Sequence, residues 1–225
     1  MYEAVILAGG MGTRLKSVSG DTPKPMVSVA GQPFLYRLMQ KLEADGCEHI
    51  VLSVGYRADF IISRLKQDQP VKIRVSFAVE QEPLGTGGAI KKAAGSIKSE
   101  QFIVLNGDSY SDVSFSDLIN QAKNSAILIS GVNIEDASRY GTLELTTDST
   151  VIRLVEKGIS GPGIINSGVY VVSRKDILSF PEDKFSFEID FLGSFNGKFS
   201  AAVDYGYFID IGIPEDYHRA CEYFA

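Results

Sequence analysis

A cluster of glycines followed by two basic residues lies near the start of the chain. An apolar segment, 2–7, runs into AGGMGTR at 8–14, and Lys24 follows within PKPM at 23–26. Glycines let a main chain approach a ligand closely and direct successive N–H groups at phosphate oxygens. Arg14 adds a planar fork that matches phosphate, and Lys24 adds a compact charge. This loop is therefore predicted to bind a nucleotide, through Leu7, Ala8, Gly9, Gly10, Gly12 and Thr13.

Two common phosphate-binding motifs do not fit this loop. The dinucleotide fingerprint needs Gly-x-Gly-x-x-Gly, and Leu15 occupies the place of its third glycine. A Walker A sequence is also absent from the chain. An NAD-dependent oxidoreductase is disfavoured further, because no acidic residue follows a clear second strand at the expected interval. A tight turn without a ligand is the structural alternative, and the basic residues argue against it.

Two aspartates end apolar stretches that lie far apart in the chain. Asp108 closes VLNGD at 104–108, and Asp210 closes YFID at 207–210. Open α/β sheets bind their ligands at the carboxyl ends of the parallel strands, so Asp108 is predicted to face the ligand. Each aspartate taken alone could instead be a turn residue or a helix cap.

Composition excludes several other kinds of site. The 225 residues include two histidines and two cysteines, and the net charge is −6. Cys47 and Cys221 lie far apart, so free thiols are expected rather than a disulfide, and a histidine-rich metal site is excluded. The acidic balance argues against a nucleic-acid surface but not against a local phosphate pocket. No Ser/His/Asp or Cys/His arrangement is evident.

The sequence also gives expectations for location and association. No apolar stretch approaches the length of a membrane span, and no signal-peptide pattern opens the chain. A cytoplasmic protein without a membrane partner is expected. Homo-oligomer formation is left open by the sequence.

The elements that must position these residues alternate between strand-like and helix-like patterns. This alternation predicts an α/β fold with a mixed, mostly parallel sheet flanked by helices. The predicted strands are 2–7, 50–54, 73–79, 102–105, 126–132, 142–146, 151–155 and 168–172. The predicted helices are 33–44, 58–67, 86–94, 114–124 and 214–223. No internal repeat or linker is apparent, so a single domain over 1–225 is expected.

Several motifs, spread in order over the chain, resemble those of the sugar-1-phosphate nucleotidyltransferases. They are GGMGTRL at 9–15, PKPM at 23–26, EPLGTGG at 82–88, LNGD at 105–108, EK at 156–157, NSGVY at 166–170 and FIDIG at 208–212. The resemblance implies a Rossmann-like sheet of the nucleotide-diphospho-sugar transferase type. It also implies a catalytic domain without the C-terminal β-helix that some relatives carry.

The resemblance implies a reaction as well. An oxygen of a sugar 1-phosphate attacks the α-phosphorus of a nucleoside triphosphate, and pyrophosphate leaves. By the same resemblance Asp108 and Asp210 hold Mg²⁺, an ion that suits carboxylate, phosphate and water oxygens. Arg14 would stabilise the departing pyrophosphate, and Lys24 would draw the two phosphates together. Because the nucleophile is already an anion, no general base is required.

The resemblance further implies substrate contacts outside the glycine loop. On the nucleotide side these are Gly85, Thr86 and Asn106. On the sugar side, Lys157 would grip the phosphate, Glu156 and Asn166 would contact hydroxyl groups, and Gly141 would let the backbone approach the sugar. A solvated lysine and a simple turn glycine are the alternatives for Lys157 and Gly141.

The choice of base depends on the segment near residue 80. Glu80 could accept hydrogen bonds from both adjacent N–H donors of guanine, whereas Gln81 would suit several bases. A solvated acidic loop is an equal alternative for this segment.

A closer resemblance narrows the choice of both the nucleotide and the sugar 1-phosphate. SVGY at 53–56, KFSFE at 184–188 and GYFIDIGIPEDY at 206–217 resemble the bacterial D-glycero-α-D-manno-heptose 1-phosphate guanylyltransferases. This implies GTP as donor and GDP-heptose, for surface polysaccharide, as product. Mannose-1-phosphate guanylyltransferases and N-acetylmuramate-1-phosphate uridylyltransferases share most of these motifs and are the alternatives. A nucleotide-sugar sensor without turnover is the non-enzyme alternative, which the presence of both aspartates, Arg14 and Lys24 disfavours.

Overall fold

The computed structural model describes residues 1–10, 12, 15–122, 125–155, 158, 160–195, 199–204 and 206–225, without the side chains of Ser17 and Ser19. The strands are β1 (Tyr2–Leu7), β2 (Ser28–Val29), β3 (Gln32–Pro33), β4 (Cys47–Val54), β5 (Arg74–Val79), β6 (Gln101–Asn106), β7 (Ser109–Ser111), β8 (Ile127–Ile134), β9 (Thr142–Leu145), β10 (Val151–Val155), β11 (Gly163–Ser173), β12 (Ser200–Asp204) and β13 (Phe208–Asp210). The helices are α1 (Lys16–Ser19), α2 (Phe34–Ala44), α3 (Ala58–Gln67), α4 (Gly85–Ala94), α5 (Phe115–Gln121), α6 (Arg174–Ser179) and α7 (Pro214–Tyr223), with a 3₁₀ turn at Lys24–Met26 and a π-helix at Phe187–Leu192.

Nine of the described strands form one mixed sheet. Its order is β10-β9-β11-β6-β1-β4-β5; in addition, β8 pairs with β11, and β12 pairs with β8. The strands β6, β1, β4 and β5 run parallel, whereas β11 is antiparallel to β6. Leu7 lies in register with both Ser53 and Asn106, so three parallel strands end at the same edge. Ligands of open α/β sheets bind at this edge.

Helices cover both faces of the sheet, which explains why β1 is apolar along its whole length. Ala4 and Ile6 point into the core on the side of α2 and α3. Val5 points into the second core, on the side of α4 and α6. A parallel strand that is buried on both faces gives such a continuous apolar run. Among the described residues, no helix has the length and apolar character needed to cross a bilayer.

The predicted α/β fold is confirmed, and several boundaries agree with the prediction. Strands 2–7 and 151–155 and helices 58–67 and 214–223 have the predicted bounds. The predicted helix 114–124 begins one residue later, because the side chain of Ser114 caps it by accepting a hydrogen bond from Asp117 N. Residues 123–124 lie outside the described part of the chain.

Other elements differ from the prediction. The predicted strand 168–172 is the second half of β11, whose register against β8 shifts between Asn166 and Tyr170. The predicted helix 33–44 begins at Phe34, because Pro33 belongs to β3. The elements without a predicted counterpart are strands β2, β3, β7, β12 and β13, helices α1 and α6, the 3₁₀ turn and the π-helix. Strands of three residues, such as β7 and β13, show too few alternations to be recognised from sequence.

A buried carboxylate lies at the opposite edge of the sheet from the glycine loop. Glu3 accepts hydrogen bonds from Lys98 N at 2.6 Å and Ser99 N at 2.7 Å, and its Oε1 lies 2.7 Å from His49 Nδ1. Burial alone would raise the pKa of Glu3. The hydrogen bonds from His49 and from the two main-chain N–H groups outweigh that effect and lower the pKa to about 2.

We expect Glu3→Gln to lower the free energy of unfolding near neutral pH by roughly 2 kcal/mol, because the charge-assisted hydrogen bonds are lost. A carboxyl with a depressed pKa stabilises the fold above its unfolded-state pKa of about 4.5, and this contribution is lost as the pH falls towards about 2. Urea unfolding of wild type and variant should therefore show a difference that shrinks from about pH 6 to about pH 3. A difference that stays constant over this range would contradict the prediction.

Candidate active site at the carboxyl edge of the sheet

The glycine loop that follows β1 is fixed by main-chain hydrogen bonds to its neighbours. Ala8 N donates to Ser53 O at 2.8 Å, and Gly107 N donates to Leu7 O at 3.0 Å. A Cβ atom at position 107 would lie 2.4 Å from the carbonyl oxygen of Leu7. The two loops that follow β1 and β6 can therefore meet only because residue 107 is glycine.

Gly107→Ala is expected to destabilise the protein by about 1–3 kcal/mol, because the new methyl group would force two backbone segments apart. Urea unfolding measures the loss. Gly95→Ala is the matched control: its Cβ would lie 3.3 Å from Lys92 O, and its φ of −60° suits alanine. The control should lose much less stability than Gly107→Ala, because its methyl group has more room and a favourable φ. Equal stability of the two variants would show that the contact with Leu7 is not tight.

One lysine and two aspartates meet beside this loop. Lys24 Nζ lies 2.6 Å from Asp108 Oδ2 and 3.4 Å from Asp210 Oδ1. The lysine is buried, with 7% of its side chain exposed. Gly12 lies against its stem, since a Cβ at Gly12 would be 2.7 Å from Lys24 Cβ. The structure thus brings together Lys24, Asp108 and Asp210, which lie far apart in the sequence.

A small antiparallel ribbon outside the main sheet brings the two aspartates together. β7 pairs with β13, and Asp210 lies opposite Ser109. Ile211 N donates to Asp108 O at 2.9 Å, which ties the two strand ends. The apolar stretch before Asp210 therefore differs from the one before Asp108: β6 is a parallel strand of the main sheet, and β13 is not.

The electrostatics of this cluster favour a cation. Burial, followed by the neighbouring charge of Asp108, raises the pKa of Asp210, and the ammonium of Lys24 offsets part of the rise. Mg²⁺ is usually held in proteins by one or two carboxylates, while phosphate and water oxygens complete its shell. Asp108 and Asp210 fit that donor set. No group of three or more His, Cys, Asp or Glu side chains suited to a metal occurs in the described part of the chain.

The first of two cavities at this edge has a volume of about 510 Å³. It is lined by Lys24 and Asp108 and by most of the predicted nucleotide contacts, namely Leu7, Gly9, Gly10, Gly12, Glu80, Gly85, Thr86 and Asn106. Ala8 is buried beneath the loop, and its N–H is already bonded to Ser53. Thr13 and Arg14 lie outside the described residues, so their contacts stay predictions.

Glu80 lies at the wall of this cavity with its carboxylate already held. Its Oε1 accepts a hydrogen bond from Ser53 Oγ at 3.3 Å, and its Oε2 accepts one from Leu84 N at 3.2 Å. These bonds fix the carboxylate and leave lone pairs free, since each oxygen can accept more than one hydrogen bond. Recognition of guanine by Glu80 stays a prediction.

The second cavity is larger, at about 950 Å³, and shares Asn106 and Asp108 with the first. Gly141, Asn166 and Asp210 line it. Asn166 N donates to Gly141 O at 2.9 Å, so these two predicted sugar contacts lie next to each other. Glu156 and Lys157 lie outside the described residues, and their roles stay predictions.

Comparison with known proteins agrees with this arrangement. A family model described as nucleotidyl transferase matches residues 3–223. The chain belongs to this family. It is 39% identical over 221 residues to the D-glycero-alpha-D-manno-heptose 1-phosphate guanylyltransferase of Campylobacter jejuni, with coverage of 96% of this chain and 97% of that protein. It is 38% identical over 224 residues to the protein of the same name from Aneurinibacillus thermoaerophilus, with coverage of 97% and 96%.

A solved structure resembles this nucleotidyl transferase over its full length. HddC from Yersinia pseudotuberculosis is 56% identical, with a TM-score of 0.95 and coverage of 100% of both chains. The same protein in complex with GMP-PN gives a TM-score of 0.94. The predicted family and fold are therefore confirmed.

Sequence reasoning missed several residues that line the second cavity of this nucleotidyl transferase. They include Ser109, Tyr140, Ile152, Arg153, Glu188, Ile189 and Phe208. Glu188 contacts a predicted site residue from a different element, because its Oε1 accepts a hydrogen bond from Asn166 Nδ2 at 3.1 Å. The sequence contained a signal, since KFSFE at 184–188 was part of the closer resemblance, but no role was assigned to it.

Proposed function

We propose that this chain transfers GMP from GTP to D-glycero-α-D-manno-heptose 1-phosphate, forming GDP-heptose and pyrophosphate. One structural observation carries the proposal: two cavities meet at Asn106 and Asp108, beside Lys24 and Asp210. The first cavity has a glycine loop suited to phosphates, and the second has polar groups suited to a sugar. The relatives that share nearly the whole length of the chain carry the name of this reaction and support its two substrates.

The reaction needs two anions to approach each other. A sugar phosphate oxygen forms a bond to the α-phosphorus of GTP, and the bond from that phosphorus to the bridging oxygen breaks. Positioning and fixed positive charge supply most of the catalysis in such a step. Lys24 provides that charge at the junction of the cavities, and Arg14 is proposed to face the pyrophosphate. The phosphate nucleophile is already ionised, so no residue has to remove a proton.

We propose Asp108 and Asp210 as the residues that would hold Mg²⁺. When bound, this ion supplies charge neutralisation on phosphate oxygens. Ser109 Oγ lies 3.3 Å from Asp108 Oδ1, and Gly212 N donates to Asp210 Oδ1 at 2.7 Å. These neighbours orient the two carboxylates. A cytoplasmic location and a product used for surface polysaccharide belong to the same proposal.

A panel of substrates tests the proposal. Purified protein with Mg²⁺ is supplied with GTP, UTP, CTP or dTTP and with the 1-phosphates of manno-heptose, mannose, glucose and N-acetylmuramate. Pyrophosphate release is measured for each pair. GTP with manno-heptose 1-phosphate should exceed every other pair in kcat/KM by about tenfold or more.

The same panel tests the transferase activity separately from the choice of GTP and manno-heptose 1-phosphate as substrates. Equal rates with UTP and glucose 1-phosphate would contradict the assignment of GTP and heptose while leaving the transferase activity in place. No pyrophosphate from any pair would contradict the transferase activity itself and favour a nucleotide-sugar sensor.

A further inference from the structure

A carboxylate in the second cavity is held by two side chains of β11. Glu188 Oε1 accepts a hydrogen bond from Tyr170 OH at 2.8 Å and another from Asn166 Nδ2 at 3.1 Å. Tyr170 and Asn166 both lie on β11, whereas Glu188 lies on the π-helix. The three side chains therefore join two elements across the wall of the cavity.

The orientation of both donors is fixed. Gly168 N donates to Asn166 Oδ1 at 3.0 Å, which turns the amide nitrogen of Asn166 towards Glu188 and Tyr170. The ring of Tyr170 is 2% exposed and packs edge-on against Phe187, with ring centroids 4.9 Å apart. Burial, and next the charge of Glu188, raises the pKa of Tyr170 well above its ordinary value, so its hydroxyl stays a donor.

The segment that carries Glu188 packs against the first turn of α4. A Cβ at Gly87 would lie 2.1 Å from the ring of Phe185, so only glycine admits this ring. Gly87 N donates to Phe185 O at 3.0 Å, and Phe187 N donates to Thr86 Oγ1 at 2.9 Å. Gly85 and Thr86 also line the first cavity. The glycine-rich motif at 85–88 thus packs against the segment that carries Glu188 and also lines the first cavity.

The chemistry of Glu188 indicates which part of a substrate it can meet. Its Oε1 accepts two hydrogen bonds, and its Oε2 has no partner among the residues that the structure describes. An ionised carboxylate only accepts hydrogen bonds. It repels a phosphate group, whereas sugar hydroxyls are donors.

From this geometry we propose that Glu188 is a specificity-determining residue that accepts hydrogen bonds from hydroxyl groups of the sugar 1-phosphate. Asn166 and Tyr170 are positioning residues that hold its carboxylate. This inference rests on the proposed function, because it takes the second cavity as the sugar site. It adds a carboxylate that the predicted set of sugar contacts did not contain.

Steady-state kinetics with one substrate varied at a time test the proposal. Glu188→Gln removes the charge and keeps the shape, and should raise the KM for the sugar 1-phosphate by about 10- to 100-fold, the loss expected for a hydrogen bond to a charged group. The KM for GTP should change by less than about twofold. Tyr170→Phe should raise the same sugar KM by about fivefold, since it removes one of the two donors that hold Glu188. Glu182→Gln, on the exposed part of the same segment, is the matched control and should leave both values unchanged.

Deoxy analogues of the sugar 1-phosphate identify the hydroxyl that is contacted. The analogue that lacks this hydroxyl should lose about tenfold or more in kcat/KM with wild type and less than about threefold with Glu188→Gln. If Glu188 had only a structural role, the loss in kcat/KM from removing the hydroxyl would be the same in wild type and in Glu188→Gln. An unchanged sugar KM in Glu188→Gln, or an equal rise in the KM for GTP, would overturn the proposal.

Failure of this inference is distinguishable from failure of the proposed function. The wild-type panel decides which nucleotide and sugar react, and the variants are then assayed with the pair that reacts. If no pair reacts, calorimetric titration of wild type and Glu188→Gln with manno-heptose 1-phosphate replaces kinetics. A tenfold weaker affinity of the variant would support the role of Glu188, and equal affinities, or no binding to either protein, would overturn it.

Discussion

Replacing Lys24 by methionine should lower turnover by about 100- to 1,000-fold, the loss typical when one preorganised donor is removed from a site of developing negative charge. Lys24 Nζ lies within 3.4 Å of both aspartates, at the junction of the two cavities. Methionine keeps an unbranched apolar stem beneath Gly12 but has no charge. The rate of pyrophosphate release at saturating substrate measures the effect.

Lys92→Met is the matched control for this change. Lys92 lies exposed on α4 and lines neither of the two cavities at the carboxyl edge. Its variant should keep turnover within about twofold of wild type. A loss smaller than about fivefold in Lys24→Met, with an unchanged melting temperature, would remove Lys24 from the catalytic group.

Asp108→Asn and Asp210→Asn should each lower turnover by about 100-fold or more, because an amide is a weaker ligand than a carboxylate for a hard divalent cation. The concentration of Mg²⁺ that gives the half-maximal rate should rise in both variants. Each asparagine keeps the shape of the aspartate, so an oxygen can still accept from Gly212 N at position 210. Pyrophosphate release titrated with MgCl₂ checks both expectations.

The fold should tolerate these two changes. The two carboxylates share the ammonium of Lys24 in the described part of the chain, so removing one negative charge also removes repulsion. Urea midpoints should stay close to that of wild type. Asp59→Asn, at an exposed position in the first turn of α3, is the control and should keep its turnover. Near-normal turnover in both test variants would exclude the two aspartates from an ion site.

Local patterns in the sequence were sufficient to predict the parallel core of the fold. An apolar run that is buried on both faces marks β1, and helices with one apolar side lie between the strands. The glycine loop and Asp108 follow directly from this order, since each comes at the carboxyl end of a parallel strand. Their proximity is a consequence of topology rather than of any detailed contact.

The meeting of Asp210 with Asp108 could be expected only through the family resemblance. It depends on the pairing of β7 with β13, two strands of three residues each. Neither strand has a pattern that specifies its partner, because register is set by tertiary packing at this length.

Glu188 was missed for a different physical reason. It lies in a π-helix, a conformation without a recognisable sequence period, and it is followed by the exposed residues Ile189 and Asp190. Its orientation depends on Tyr170 and Asn166, which lie on a strand distant in sequence. From sequence alone, a carboxylate in such a segment cannot be distinguished from a solvated glutamate. Only the tertiary structure, which brings β11 and the π-helix together, shows its contacts.

The ribbon of β7 and β13 also matters for a polypeptide that is still emerging from the ribosome. The glycine loop, Lys24 and Asp108 are all synthesised before Asp210 joins the chain. A nascent chain that stops before residue 208 would contain the four parallel strands and the glycine loop, yet would present one carboxylate of this pair instead of two. Given the proposed role of Asp210, competence for catalysis would be gained late in translation, when β13 pairs with β7.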